Sequence, residues 1–310
     1  MSRGTLIALG AGTLSALLVA VLLTGVPGAM LLLYGAQLPL FAVALSLGVS
    51  ASVIAGATGG VIALLTGGLL LAAIYLLVFA APALLVSRQA LLSRARADGG
   101  TEWYPPGLLL GWLAGAAAAV MIGAGLLFSA AEGGLEGQVR DTFGTTIERL
   151  MREPPPPEVA ERLERLAAFL PAMLAVTWLM MSALNAVAAQ ALLARFGRAL
   201  RPSPRLVDLG APQWLLPALG AAVLAALVLP GGLGFVGRNL VPVLAAPYFF
   251  VGLAVVHCLA RRLPSPLFLL IPFYALLIFL GLIALALVSA LGLAETWLNL
   301  RQRFGGPRQV

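Results

Sequence analysis

The chain contains no lysine; all 19 of its basic residues are arginine. It has one cysteine, Cys258, and one histidine, His257, side by side. A single cysteine excludes an internal disulfide framework and a cysteine metal cluster. A single histidine excludes catalysis by several imidazoles. Without lysine there is no Walker A phosphate loop, and neither H-E-x-x-H nor G-x-S-x-G occurs. Charge is scarce as well, at 10% of 310 residues, where a soluble domain carries about 25%. Hydrophobic residues make up 61% of the chain, and the mean hydropathy is +1.02. A soluble fold would leave much of that surface in water. A disordered chain would be poor in apolar residues. The class left is an integral membrane protein. Its net charge of +7 reads as the arginine bias of cytoplasmic loops rather than as a nucleic-acid footprint.

A helix needs about 20 apolar residues to cross a bilayer. On that ruler, spans fall near 5–23, 29–47, 50–66, 69–86, 107–130, 167–193, 213–230, 240–259 and 267–293. The expectation is an all-α polytopic transmembrane helical bundle of 8–10 membrane helices, forming a single membrane domain over 1–310. The first span follows Met1-Ser2-Arg3 like a signal peptide, but Pro27 spoils the cleavage context at Ala29, so the helix is expected to be retained. Turns at Thr24-Gly25-Val26-Pro27-Gly28 and Thr66-Gly67-Gly68 carry the residues that break helices.

Arginine placement gives an orientation. The loops 87–106, 194–212 and 260–266 and the tail 295–310 hold Arg88, Arg94, Arg96, Arg195, Arg198, Arg201, Arg205, Arg261, Arg262, Arg301, Arg303 and Arg308. All are expected in the cytoplasm, with the N-terminus inside, in a bacterial inner membrane. An inside tail requires 267–293 to fold as two short helices, with Pro272 and Gly281 as places to break. The loop 131–166 is then the sizeable outer segment, with eight acids and five arginines. Val139, Phe143, Ile147, Leu150 and Met151 share one helical face, the run Pro154 to Pro157 stops it, and Val159, Leu163, Leu166 and Leu170 start a second. This outer amphipathic helix either lies on the membrane or closes over an outward cavity.

Small residues recur at four-residue spacing in Gly107, Gly111, Gly115, Ala119 and Gly123, in Ser52, Gly56 and Gly60, and in Ala8, Gly12, Ala16 and Ala20. In lipid, such stripes let helix backbones approach closely. They pack the bundle or, on the first helix, dock a partner. Polar residues within spans are few: Tyr34, Gln37, Thr58, Asn185, Gln190, Tyr248 and His257. Each must find a bond or line a cavity. Gln37 and Asn185 are candidate substrate contacts. Gln37 also stands two residues before Pro39, and proline frees a carbonyl that an amide can meet. Arg238 and Asn239 fall in an expected outer loop, where Arg238 either pairs with an acid of 131–166 or holds an anionic substrate. The same loop contains Gly232-Leu233-Gly234-Phe235-Val236-Gly237, a G-x-G-x-x-G pattern outside the strand–helix setting that gives it meaning.

The chain's end, Gly292-Leu293-Ala294-Glu295-Thr296-Trp297-Leu298-Asn299-Leu300-Arg301, resembles the ending of the YybS-like family of bacterial predicted membrane proteins. That family closes with a glycine, an acid, an aromatic, a polar residue and an arginine at this spacing; Glu295 stands where aspartate is commoner. Leu170-Pro171 and Asn185 belong to the same resemblance. The family is similar in outline to the substrate-binding (S) components of energy-coupling factor transporters. The resemblance implies a small-molecule ligand of unknown identity and a transmembrane T component with ATPases, docked through Ala8, Gly12, Ala16 and Ala20. This chain has more helices than such components do. Read without the resemblance, Trp297 is an interfacial anchor with Arg301 beyond it, and Glu295 and Asn299 share a helical face on which they cap or bond a loop.

Three functions follow as expectations. The leading one is a non-enzymatic substrate-binding component of a transporter, contacting substrate through Gln37, Asn185 and Arg238. The alternative is a structural or assembly factor of the cell envelope. A lipid-handling enzyme comes third, since the spans lack an acid–base pair. No catalytic residue, cofactor or metal site is assigned.

Overall fold

The computed structural model describes residues 1–151, 156–205 and 209–304. The proline run from Pro154 lies partly outside these residues, as does Arg308. The fold is all-α and polytopic, with thirteen helices and one short hairpin among the described residues. Among the described residues, six segments are long and apolar enough to cross a membrane: Arg3–Thr24, Ala29–Leu47, Val49–Ala90, Pro106–Leu127, Pro157–Arg195 and Gly231–Ala260.

By its contacts the chain forms two compact units, Met1–Leu113 with Trp178–Arg205, and Ala114–Thr177 with Leu206–Val310. Two of the three crossings between them, at 113/114 and 177/178, fall inside helices, so no shift in composition marks those.

The first unit contains α1 (Arg3–Ala20), α2 (Ala29–Tyr34), α3 (Leu38–Leu47), α4 (Val49–Ile74) and α5 (Ala81–Ala90). It also holds the start of α6 (Pro106–Leu127) and the end of α8 (Pro157–Arg195). The 42 residues from Val49 to Ala90 double back on themselves. Gly68, at φ 75° and ψ −171°, interrupts the helix at the Thr66-Gly67-Gly68 turn, in a backbone conformation that side chains disfavour. Gly56 then faces Ala80, Gly59 faces Tyr75 and Gly60 faces Leu76. From Gly56 against Ala80 to Gly60 against Leu76 the register descends, so the pair is antiparallel, as two spans joined by a tight turn require. A π-helical turn, Tyr75–Ala80, leads into α5, whose second residue is Pro82. Between α5 and α6, strands β1 (Ser93–Ala95) and β2 (Thr101–Trp103) pair antiparallel, with Ser93 opposite Trp103.

The second unit contains the rest of α6 and α8, with α7 (Gly134–Leu150), α9 (Leu215–Val228), α10 (Gly231–Ala260), α11 (Leu267–Leu280), α12 (Leu282–Leu298) and α13 (Leu300–Phe304). Its core gathers on α10, where Phe235, Val243, Tyr248, Val251 and Val255 are fully buried. Helix α12 crosses α10 closely. A Cβ on Gly252 would strike the Val288 carbonyl, and one on Gly292 would strike the Tyr248 carbonyl. With lipid on the outside there is no hydrophobic drive between helices, so this backbone approach, gained through dispersion contacts, is what joins them.

Two expectations change and one is met in part. The loop expected around Arg238 is helical, because α10 begins at Gly231 immediately after Pro230. The run 267–293 does break at Gly281, at φ 52°, while Pro272 stays inside α11. The amphipathic helix expected in 131–166 is α7, but Met151 lies past its end in extended backbone.

Candidate functional site

The polar side chains singled out in the spans bond chiefly to backbone carbonyls. Gln37 is fully buried at the start of α3, and its Nε2 donates to the Val78 carbonyl at 2.8 Å. Val78 lies four residues before Pro82, which has no N–H to offer the helix ladder. Trp178 Nε1 donates to the same carbonyl at 2.9 Å. The carbonyl that Gln37 meets is thus the one opposite Pro82 rather than one freed by Pro39. Asn185 donates to the Tyr34 carbonyl, at the end of α2, at 2.7 Å and to Met181 in its own helix at 2.8 Å. Tyr34 is the last residue of α2, where carbonyls lack helical partners.

A second polar chain in this unit escaped sequence reasoning. Tyr75 Oη donates to Ser15 Oγ at 3.0 Å, and Ser15 Oγ donates to the Ala36 carbonyl at 2.6 Å. Gly59 leaves room for the Tyr75 ring, since a Cβ there would overlap it. Gly59 stands beside Gly60 of the Ser52, Gly56 and Gly60 stripe, and that glycine pair facing an aromatic-bearing helix was the available signal. The stripe on α1 is spent inside the same unit. Ala8 and Ala16 are buried, and a Cβ on Gly12 would strike the Ala55 carbonyl of α4. Ala20, at the end of the stripe, is half-buried. At Gly12 this face of α1 is covered by α4, as the bundle-packing alternative expects.

In the second unit, Arg238 sits on α10 with 43% of its side chain exposed and reaches Glu136 of α7, Nη2 to Oε2 3.6 Å. Glu136 also accepts from Arg140 at 2.8 Å. The charge is thus matched by an acid of 131–166. Its neighbour Asn239 is fully buried: Oδ1 accepts the Ala172 N–H and Nδ2 donates to the Ala168 carbonyl, both at 3.0 Å. His257 bonds the Leu253 carbonyl through Nδ1 at 2.8 Å, which makes Nδ1 the protonated nitrogen and leaves Nε2 to accept from Tyr274 Oη at 3.3 Å.

The terminal motif is an architectural joint. Glu295 is 5% exposed, and its carboxylate accepts the Leu300 N–H at 2.7 Å, the Arg301 N–H at 3.4 Å and Arg301 Nε at 2.8 Å. Arg301 Nη1 continues to the Leu209 carbonyl at 2.8 Å. Asn299 turns the chain between α12 and α13 in a left-handed conformation, at φ 47°. Gly292 provides the helix crossing, and Trp297 is exposed. Each residue of the motif except the tryptophan has a mechanical task.

The family model for a predicted membrane protein, DUF2232, matches residues 13–296. The chain belongs to that family. The DUF2232 match includes Gln37, Asn185, Arg238, Gly292 and Glu295. It begins after Ala8 and Gly12 and ends before Trp297, Asn299 and Arg301. No curated protein and no solved structure matches the chain.

Proposed function

We infer that this DUF2232 protein is a non-catalytic component of a bacterial inner membrane that works by associating with other membrane proteins, as a structural or assembly factor of the envelope. One observation carries this reading. The amide N–H groups of Gln37, Asn185 and Asn239, the side chains best suited to a polar ligand, donate to backbone carbonyls in their own units, and among the described residues Gln37 Oε1 is left buried without a partner. Using them for a substrate would reopen helix ends in lipid, where each unpaired backbone group costs several kcal/mol, of order 2–7. The arginine-bearing loops and the N-terminus face the cytoplasm in this reading.

A second reading, a YybS-like substrate-binding component resembling an S component, is favoured by the Arg238–Glu136 contact. That ion pair ties the amphipathic helix α7 to α10 at one point, as a latched outer cover would be tied. Native mass spectrometry of the protein, taken gently from its own membrane, separates the two. A reproducible small-molecule adduct other than a membrane lipid, or a co-purifying T component with ATPases, selects the transport reading. Stoichiometric envelope proteins without such an adduct select the assembly reading.

A further inference from the structure

The hairpin β1–β2 joins α5 to α6, both parts of membrane-crossing segments, so it lies at the membrane surface. A pocket of about 330 Å³ opens there, lined by Leu92, Ser93, Arg94, Glu102, Trp103 and Tyr104 among others. Its lining joins an arginine, a hydroxyl and a carboxylate to an indole and a phenol ring. Trp112 Nε1 donates to the Tyr104 hydroxyl at 2.9 Å, which adds a half-exposed indole beside it. Indole and phenol rings in such numbers mark the headgroup level of a bilayer.

Behind the pocket wall lies an unbalanced charge. Arg201 is 6% exposed. Its guanidinium stands 5.7 Å from the Trp103 ring centre, and Nη1 donates to the Ala90 carbonyl at 2.8 Å and the Tyr104 carbonyl at 3.4 Å. Its Nε is buried with no partner, and among the described residues no acid pairs with it. A buried cation held only by carbonyls and a ring is short of countercharge. In front of it, Arg94 gives only Nε to Glu102, at 2.9 Å, which neutralises the pocket's one carboxylate. The wall therefore presents Arg94 in the open and Arg201 beneath.

We propose that this pocket binds the phosphodiester headgroup of an anionic membrane phospholipid. The phosphate sits at Arg94 and Ser93, Trp103 and Leu92 pack against the glycerol, and the acyl chains run out into the bilayer. Arg201 supplies attraction through the wall without touching the lipid. The volume suits a glycerophosphate group and not a whole lipid, and basic sites at the ends of membrane helices take anionic headgroups.

The test uses delipidated full-length protein titrated with phosphatidylglycerol or phosphatidylcholine and read by native mass spectrometry. One surface cation is worth about a fivefold change in binding. The expected result is about fivefold tighter retention of phosphatidylglycerol by the wild type, near parity in Arg94→Gln, and the preference kept in Arg149→Gln, a charge-matched exposed control on α7. Arg94 is 78% exposed, so its replacement spares the fold. Millimolar glycerol 3-phosphate should leave the lipid bound. Equal retention of the two lipids by the wild type, equal losses in both variants, or displacement by the soluble phosphate would each overturn the proposal.

Discussion

Asn239 bridges the α8 ladder immediately beside Pro171. Its amide accepts from the Ala172 N–H and donates to the Ala168 carbonyl, the two groups that face each other one step past the bond the proline cannot make. A third bond, to Phe235 in its own helix, fixes the amide plane. One buried side chain thus compensates a proline on another helix.

Replacing Asn239 by Ala removes all three bonds and leaves Ala168 and Ala172 beside an empty space. Reversible unfolding in mixed micelles should show a loss of about 1–2 kcal/mol. Asn239→Asp should fare no better, because a carboxylate has no N–H for the Ala168 carbonyl. Wild-type stability in the aspartate variant would contradict the assigned bonds.

Gln37 and Trp178 share the Val78 carbonyl, so each covers for the other. Gln37→Leu and Trp178→Phe should each cost less than about 1 kcal/mol. The double variant should exceed their sum by about 1 kcal/mol, within the range for residues sharing one partner. Strict additivity in the cycle would mean that the carbonyl is not shared.

Gly12 and Gly10 lie on the same helix in opposite circumstances. A Cβ on Gly12 meets the Ala55 backbone, and one on Gly10 meets nothing within 4 Å. Gly12→Ala should cost about 1–3 kcal/mol by overpacking, whereas Gly10→Ala should be neutral or slightly stabilising. If Gly12→Ala unfolds like the wild type while a membrane partner is lost, the stripe serves that partner instead of α4.

Acid should loosen the hairpin at residues 93–103. The bond and charge of Arg94 hold the Glu102 carboxyl below the usual carboxylate range. A carboxyl depressed in the folded state stabilises above its unfolded value, and that contribution disappears as pH falls through the folded one. Amide protection there, corrected for intrinsic exchange, should drop below about pH 4, and Arg94→Gln should flatten that dependence. An identical profile in the variant would remove Arg94 as its cause.

The membrane class, the doubled-back 49–90 segment and α7 were all legible in the sequence, because apolar length, glycine turns and 3.6-residue periodicity are local properties. The pairing of Arg238 with an acid of 131–166 was legible too, since charge in an apolar chain has few partners to choose from. Asn239 was placed in a loop because it falls between the spans 213–230 and 240–259; after Pro230 that stretch starts a helix instead. The partners of Gln37 and Asn185 were not legible. Their acceptors are main-chain carbonyls, which carry no sequence signature until a proline or a helix end is known to face them. Arg201 looked like one more loop arginine, and only its burial sets it apart.

Helix α11 is 14 residues long, which amounts to about 21 Å at 1.5 Å per residue. None of its residues is buried, and Phe268, Ile278 and Phe279 are each more than 80% exposed. Where acyl chains face it, it is too short to match a hydrocarbon layer of about 30 Å. Such a mismatch is relieved by local thinning of the leaflets or by tilting the helix toward their plane. A flank so placed would impose a thickness on the lipid around it, and bilayers of longer acyl chains would resist it there.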